Sequence, residues 1–270
     1  MYPILFRLEN VPLFDTLTLR SFGVLVLLGV IAGVFWMQRA FPRIGLKHPD
    51  APSDVTMWML LTGFFGARLV YLIIHPSAFH GPLSLIALWE GGIVSYGGFI
   101  GGAVGVAIYA RKKRVPFLRI ADAITPALCI GQAVGRWGCL LAGDDHGRPW
   151  DGPWAVTFPS IEETLIPPDL IGIPLHPAQI YLSLMNLILF LILARAFAKR
   201  RYAGQVLCLG MVLYPIGRFL VEYTRGDDIS RGFWGAFSTA QWVSMIILCL
   251  ALALWRRARQ QAMPISSLTA

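Results

Sequence analysis

Long apolar runs separated by short polar connections make up most of the chain. They cover approximately residues 20–36, 55–74, 91–109, 121–142, 177–197, 205–223 and 237–255. Each run approaches the roughly 20 residues that a helix needs to cross the hydrocarbon core of a bilayer. The pattern therefore predicts an all-α integral membrane protein with about seven transmembrane helices, organised as one polytopic domain over residues 1–270.

Two segments outside these runs are too polar to span a membrane. Residues 1–18 mix Leu, Phe and Pro with charged residues, which favours a position in the membrane interface. Residues 143–176 form the longest polar connection and are rich in proline and acidic residues. Connections of this length inside a compact protein are usually functional or disordered. We predict an interfacial N-terminal segment and a loop region between spans four and five.

The composition agrees with a membrane protein and indicates its orientation. Hydrophobic residues make up 56% of the chain and charged residues only 14%, against about 25% charged in soluble domains. The net charge of +8 does not indicate a nucleic-acid partner, because most basic residues follow the first, third, fifth and seventh apolar runs. The positive-inside rule then places those loops and the C-terminus in the cytoplasm and the N-terminus outside. The loop region 143–176 is accordingly expected to be periplasmic. The opening residues lack a cleavable signal-peptide pattern, so none is expected.

The third apolar run has small residues at helical spacing. Gly97, Gly101 and Gly105 recur every four residues, and Gly98 and Gly102 repeat the pattern one position later. Small residues at this spacing let membrane helices approach closely. We predict a closely packed, central helix.

Several charged residues oppose the orientation trend and lie toward the outer ends of spans four and six. They are Arg136, Arg148, Arg218, Arg225 and Arg231, accompanied by Asp144, Asp145, Glu222, Asp227 and Asp228. Charges at lipid depth are costly and usually functional. The arginine fork matches phosphate oxygens and keeps its charge when desolvated. The pattern predicts an outward-facing pocket for an anionic phospholipid. The alternative is that Arg136 and Arg218 only pair with Asp144 and Glu222 to hold helices together.

Spacing suggests further roles within this group. Arg218, Glu222 and Arg225 share one helix face, so Glu222 can orient an arginine, with a surface ion pair as the alternative. His176 precedes a proline and is either a turn residue or a chemical group. The run Asp144-Asp145-His146 is a poor metal site, because adjacent residues seldom converge on one ion. No metal and no organic cofactor are expected.

Five ordered blocks of residues resemble a known family over nearly the whole chain. They are Gly66-Ala67-Arg68, Gly91 to Gly102, Gly135-Arg136-Trp137-Gly138 with Asp144 and Gly147-Arg148, His176 to Tyr181, and Arg218 to Arg225 followed by Asp227. The blocks resemble those of the bacterial phosphatidylglycerol–prolipoprotein diacylglyceryl transferases. Together they are far more specific than any one block.

The resemblance implies a reaction, partners and a location. The diacylglyceryl group of phosphatidylglycerol would be transferred to the lipobox cysteine thiol of a preprolipoprotein, forming a thioether and releasing glycerol 1-phosphate. This is the first step of bacterial lipoprotein maturation. The partners would be phosphatidylglycerol, the signal peptide and lipobox of the acceptor, and membrane lipids. The protein would lie in the bacterial cytoplasmic (inner) membrane, with its active site facing the periplasm.

The resemblance also implies residue roles. Arg136 and Arg218 would bind the phosphate and act in catalysis, with Arg148 and Arg225 at the mouth of the site. Glu222, as a catalytic residue, and Asp144, as a substrate-binding residue, would orient the arginines. Tyr96 would act in catalysis by donating to or accepting from the reacting groups. The other residues expected to bind substrate are Gly147, Arg68 and His176.

The chain departs from the family pattern at several positions. Many members carry Asn at Cys139 and Ala142, Glu at Asp144, Tyr at Phe22 and His at Tyr96. Histidine titrates near neutral pH and tyrosine near 10, so the resemblance leaves the general base unassigned. Two alternatives follow: a transporter or flippase for an anionic lipid or solute, and a catalytically impaired paralogue. A transporter would need a polar path to the cytoplasm, and the inner halves of spans four and six show few polar residues.

Overall fold

The structure is a computed structural model and describes residues 2–11, 14–87, 91–160, 163–227 and 232–260. Seven long helices lie in this part of the chain. The helices are α1 (Ser21–Ala40), α2 (Ala51–Ile74), α3 (Ser95–Lys113), α4 (Phe117–Ala142), α5 (Ala178–Ala198), α6 (Gln205–Glu222) and α7 (Thr239–Gln260). Each coincides with one predicted apolar run, so the mostly helical fold is confirmed.

Six of these helices, all except α3, are long and apolar enough to cross a membrane. Helix α3 contains many glycines and ends in Arg111, Lys112 and Lys113, which lower its hydropathy. A multi-pass membrane protein is therefore confirmed, whereas the count of about seven spans and the orientation stay predictions. The predicted charges Asp228 and Arg231 lie outside the described residues.

Short strands add to the helical fold. The N-terminal segment, predicted only as interfacial, forms an antiparallel hairpin of β1 (Ile4–Val11) and β2 (Phe14–Arg20). The remaining strands pair as β3 (Val156–Thr157) with β4 (Pro174–Leu175), and as β5 (Phe233–Trp234) with β6 (Phe237–Ser238). Arg7 and Arg20 of the hairpin both pair with Glu163, at 2.5 and 3.1 Å. The hairpin is thus connected to the loop region 143–176.

The chain forms two compact units, residues 36–123 and residues 1–35 with 124–268. In the unit of residues 36–123, helices α2 and α3 pack through glycines. A Cβ atom added to Gly66 would lie 2.5 Å from the carbonyl oxygen of Gly97, and one added to Gly101 would lie 2.1 Å from that of Thr62. Only glycine permits such close backbone contact. The predicted close packing of α3 is confirmed.

In the other unit, α4 carries Arg136 and leads into the charged stretch, residues 144–148. Gly29 of α1 packs against Gly131 of α4, where an added Cβ would lie 2.5 Å from the Gly131 carbonyl oxygen. Ser183 of α5 donates a hydrogen bond of 2.7 Å to the carbonyl oxygen of Ala133. Beyond α4 the loop region has its own apolar core, formed by Leu140, Phe158, Ile166 and Leu175. This core holds the loop region against the end of α4.

Candidate active site

The charged stretch leaves helix α4 through a tight turn. Gly143 has a φ of 80° and Asp145 a φ of 53°, the left-handed region that side chains other than glycine seldom adopt. The amide of Asp144 donates to the carbonyl oxygen of Cys139 at 2.9 Å, which closes the helix. The amide of Asp145 then donates to Oδ1 of Asp144, also at 2.9 Å. The side chains of Asp144 and Asp145 therefore point in different directions.

Three of the sequence blocks meet through their main chains just after this turn. The amide of Arg148 donates to the carbonyl oxygen of Thr224, and the amide of His176 donates to that of Arg148, both at 3.0 Å. Gly147 lies between them, and a Cβ atom there would be 2.1 Å from the carbonyl oxygen of His176. Gly147 is thus required for the close approach of the chains, and its predicted substrate contact stays a prediction.

A chain of ion pairs joins the end of α4 to the segment after α6. Asp145 bridges two arginines, with one carboxylate oxygen on Arg136 and the other on Arg225. Arg225 also binds Asp227, and its Nε lies 2.8 Å from Oδ1 of that residue. The residue that pairs with Arg136 is therefore Asp145, which corrects the prediction that Asp144 orients it. The left-handed turn explains the difference, because it directs Asp145 toward the arginines.

Helix α6 carries the second arginine–carboxylate pair. Arg218 pairs with Glu222 one turn later, as their spacing predicted. Glu222 is only 2% exposed and accepts a further hydrogen bond of 2.6 Å from the hydroxyl of Ser238. The main-chain amide of Ser238 donates to Oε1 of Gln241 at 3.0 Å. The pair is therefore a buried, supported contact and not a surface ion pair.

The ion pairs determine which groups keep their charge. Burial disfavours the ionised form of Asp145, but Arg136 and Arg225 outweigh it and lower the pKa of this carboxyl. Burial likewise opposes the charge on Arg225, yet hydrogen bonding to Asp227 and the charge of Asp145 raise its pKa. For Asp144, burial and then the negative charge of Asp145 raise the pKa. Asp145 is thus a fixed anion, whereas Asp144 binds a proton more readily.

An open pocket of about 460 Å³ adjoins Glu222 and Arg225. Arg148 lines the same pocket and its side chain is exposed. Among the residues that the structure describes, no carboxylate lies within ion-pair distance of Arg148. Its charge is therefore available to an anionic group that enters the pocket.

An aromatic cluster lies beside the Arg148 main chain. The ring of His176 stacks on Trp150 with centroids 4.3 Å apart, and its Nδ1 lies 3.3 Å from the hydroxyl of Tyr181. Trp154 Nε1 donates to the same hydroxyl at 2.7 Å. Burial and the charge of Arg148 lower the pKa of His176. The lowered pKa favours a neutral imidazole. The substrate-binding role of His176 stays a prediction.

The two remaining predicted residues belong to the unit of residues 36–123. Arg68 is 1% exposed and donates to the carbonyl oxygens of Ser84 at 2.7 Å and Gly91 at 2.5 Å. It therefore holds the loop that precedes α3. Tyr96 lies in the first turn of α3 with its side chain 38% exposed. Roles in catalysis for Tyr96 and in substrate binding for Arg68 stay predictions.

The thiol of Cys139 lies beside Arg136, Asp144 and Asp145. The Sγ atom of Cys139 and carboxylate oxygens of Asp144 and Asp145 lie within 4.8 Å of one another. Nη1 of Arg136 is 3.9 Å from the same sulfur and also pairs with Asp145. The positive guanidinium makes this a poor place for a metal cation.

The sequence interpretation missed three residues that shape the site. The sequence places Asp145 among the charges of the predicted pocket and among the metal ligands considered, but it does not identify Asp145 as the partner of Arg136, and it does not single out Ser238. Gln179, which belongs to the His176 to Tyr181 block, donates through Nε2 to the carbonyl oxygen of Asp144 at 2.7 Å. The position of Gln179 inside a quoted motif was a usable signal, whereas nothing in the sequence connects Ser238 with Glu222.

Comparison with known proteins establishes the family. A family model described as prolipoprotein diacylglyceryl transferase matches residues 9–257. The chain belongs to this family. Similar relatives are each named phosphatidylglycerol–prolipoprotein diacylglyceryl transferase. The relative from Nostoc sp. is 33% identical over 92% of this chain and 89% of its own length. That from Geobacter sulfurreducens is 34% identical over 93% of both chains, and that from Bordetella parapertussis 34% over 88% and 90%.

Membership of the prolipoprotein diacylglyceryl transferase family confirms the resemblance found in the sequence. The chain is a multi-pass membrane transferase, and the matched region includes every predicted site residue from Arg68 to Arg225. The arginine–carboxylate network therefore lies within the region that matches the family model.

Proposed function

We infer that the chain transfers the diacylglyceryl group of phosphatidylglycerol to the lipobox cysteine of a preprolipoprotein. The product would be a thioether, with glycerol 1-phosphate released. Family membership supports the reaction, and the names of the relatives support both substrates. The observation that carries the assignment to a site is the pair of arginines, Arg136 and Arg218, each held by a buried or half-buried carboxylate. Neither alternative, the transporter or the impaired paralogue, is favoured by the described residues or by the relatives.

The reaction needs a stabilised phosphate leaving group. A thiolate sulfur attacks the glyceryl carbon that bears the phosphate ester, the carbon–oxygen bond breaks, and its electron pair stays on the phosphate. Preorganised positive donors are the strongest way to stabilise such a developing charge. Arg136 and Arg218 each bind a carboxylate through Nη1. Because a guanidinium has five N–H donors, the same fork can also bind phosphate oxygens.

The remaining charged residues would complete the binding of the lipid headgroup. Arg148 and Arg225 line the open pocket, and Glu222 at its wall already orients Arg218. We place this pocket on the periplasmic side of the bacterial cytoplasmic membrane. Support comes from the basic residues in the last turns of four helices: α1, α3, α5 and α7. The positive-inside rule assigns those helix ends to the cytoplasm. The acceptor would reach the site as a membrane-inserted signal peptide.

The direct test measures glycerol 1-phosphate released from phosphatidylglycerol in the presence of a lipobox peptide. We expect release by the wild-type protein and a fall of about 10²- to 10³-fold in Arg218→Ala, the loss typical of a removed transition-state donor. Arg257→Ala is the control, because this exposed residue lies in the last turn of α7. Equal release by Arg218→Ala and wild type would overturn the residue assignment. Absence of release by the wild type, with or without headgroup transport, would overturn the transferase function.

A further inference from the structure

Asp144 differs from the other carboxylates of the candidate active site. Asp145, Asp227 and Glu222 each pair with an arginine. Among the residues that the structure describes, Asp144 has no cation within ion-pair distance. The residue is exposed on one side, although neighbouring groups remove part of the water around its carboxyl group. A carboxylate that is not bound to an arginine can accept a proton without first breaking an ion pair. Asp144 therefore has the chemistry of a base, whereas the other three have the chemistry of anchors.

The main-chain amide and carbonyl groups of Asp144 are both held by hydrogen bonds. Its amide donates to the carbonyl oxygen of Cys139 at 2.9 Å, and its own carbonyl oxygen accepts from Nε2 of Gln179 at 2.7 Å. The Oδ1 atom of its side chain accepts the amide of Asp145 at 2.9 Å. Two hydrogen bonds thus hold the main chain of Asp144 and one orients its carboxylate through Oδ1, whereas Oδ2 takes part in none of the three. A fixed group with one open oxygen is well suited to proton transfer.

The surroundings of Asp144 accommodate a sulfur atom. The Sγ atom of Cys139 lies within 4.8 Å of a carboxylate oxygen of Asp144, and Nη1 of Arg136 lies 3.9 Å from that sulfur. Cys139 is buried inside α4, so it shows the compatibility of the site with sulfur and is not the acceptor. A substrate thiol approaching from the exposed side of Asp144 would meet its carboxylate, one residue before the carboxylate that pairs with Arg136.

The charges around Asp144 separate its behaviour from that of Asp145. Burial and the neighbouring Asp145 raise the pKa of Asp144, Arg225 acts in the opposite sense, and Asp227 adds to the increase. In contrast, Arg136 and Arg225 lower the pKa of Asp145 against the effect of burial. Two adjacent carboxyl groups whose pKa values are shifted in opposite directions are typical of an acid–base group beside an electrostatic one.

We propose that Asp144 is the catalytic base that removes the proton of the acceptor thiol, a role that rests on the proposed transferase function. The S–H proton moves to Oδ2 of Asp144, and the thiolate sulfur forms a bond to the glyceryl carbon of phosphatidylglycerol. The carbon–oxygen bond breaks, and its electron pair leaves with glycerol 1-phosphate, whose charge the arginines stabilise. The proton then passes from Asp144 to the departing phosphate, which restores the carboxylate.

The test compares wild type with Asp144→Asn on two acceptors. Asparagine keeps the size of the side chain and an oxygen that accepts the Asp145 amide, so the turn is retained. With a lipobox cysteine peptide we expect kcat to fall by about 10²- to 10⁴-fold, the usual contribution of a general base, with little change in KM for phosphatidylglycerol. A peptide with selenocysteine in place of the cysteine needs no base, because a selenol is already ionised at neutral pH. It should restore most of the activity of the variant.

The pH profile gives a second readout. Wild-type activity should fall as pH decreases through the raised pKa of Asp144, above its ordinary value of 3.8. The activity of Asp144→Asn should instead increase with pH toward the pKa of the free thiol, about 8.5. Asp169→Asn, an exposed aspartate of the same loop region, is the control and should behave as wild type.

Several outcomes would overturn the proposal. An equal loss with the thiol and selenol peptides would make Asp144 a positioning residue only, and full activity of Asp144→Asn would exclude it as the base. No transfer by the wild type to either acceptor would overturn the transferase function and this step with it. Wild-type transfer combined with either of the first two results would leave the transferase function intact.

Discussion

Two arginines inside apolar helices, Arg68 of α2 and Arg136 of α4, have opposite surroundings. Arg68 is 1% exposed and donates to main-chain carbonyl oxygens of residues 84, 91 and 92. The side chain of Arg136 is 19% exposed and pairs with Asp145. Both satisfy the requirement that a charge at lipid depth has partners, but with different chemistry.

The partners of a buried arginine therefore indicate its role better than its presence in a helix does. Carbonyl oxygens already accept from Nε and Nη1 of Arg68, so its guanidinium has fewer donors left for a phosphate. A carboxylate on one edge of Arg136 leaves the other edge for a second anion. We therefore expect Arg68 to stabilise the fold and Arg136 to bind the substrate.

The largest effect on stability is expected for Arg68→Ala. The change leaves the buried carbonyl oxygen of Ser84 and the partly buried ones of Gly91 and Gly92 without this donor. An unsatisfied buried group costs about 1–3 kcal/mol, so we expect a loss of about 3 kcal/mol. The measurement is the thermal unfolding midpoint in detergent, followed by the specific activity of the folded fraction. That activity should remain close to the wild-type value. Arg111→Ala, an exposed residue in the last turn of α3, is the control. Normal unfolding combined with lost transfer would instead support the predicted substrate-binding role of Arg68.

The glycine contact between α2 and α3 should show a smaller effect. A methyl group at Gly101 would lie 2.1 Å from the Thr62 carbonyl oxygen, whereas one at Gly102 would meet its nearest neighbour, the Met59 carbonyl oxygen, at 3.8 Å. Gly101→Ala should reduce the free energy of unfolding by about 2 kcal/mol, as overpacking does. Gly102→Ala is the matched control and should be nearly neutral. Equal unfolding midpoints for the two variants would contradict the close packing of the helices.

The smallest effect is expected for Asp145→Asn. Because the pKa of Asp145 is lowered in the folded state, its ion pairs stabilise the protein at neutral pH, and this contribution is lost as pH falls through the folded-state pKa. The side chain is 23% exposed, so solvent screening limits the contribution to about 1 kcal/mol. Unfolding midpoints of wild type and variant should differ at pH 7 and converge in acid. A constant difference at all pH values would show that the ion pairs are not responsible.

Much of the fold could be predicted because its cause is local in the sequence. The apolar runs located all seven helices, since a helix in a membrane needs a continuous apolar stretch of about 20 residues. The hairpin of β1 and β2 was missed, because the alternation of apolar and polar residues covers only part of each strand, at residues 6–9 and 16–20, and the segment was interpreted from its polarity alone. The pairing of Arg218 with Glu222 was predictable because both lie one turn apart on the same helix.

Several properties follow from the sequence alone: the protein is a helical membrane transferase, and it has arginines in the C-terminal halves of α4 and α6. The composition, the positions of the basic residues along the chain and the five motif blocks do not depend on how the helices pack. Only the tertiary structure decided which of two adjacent aspartates binds the arginines and which stays open. The reason is that a left-handed turn at Asp145 and the hydrogen bond from Gln179 depend on segments distant in sequence. The same turn directs Asp145 to Arg136 and leaves Asp144 available as a base.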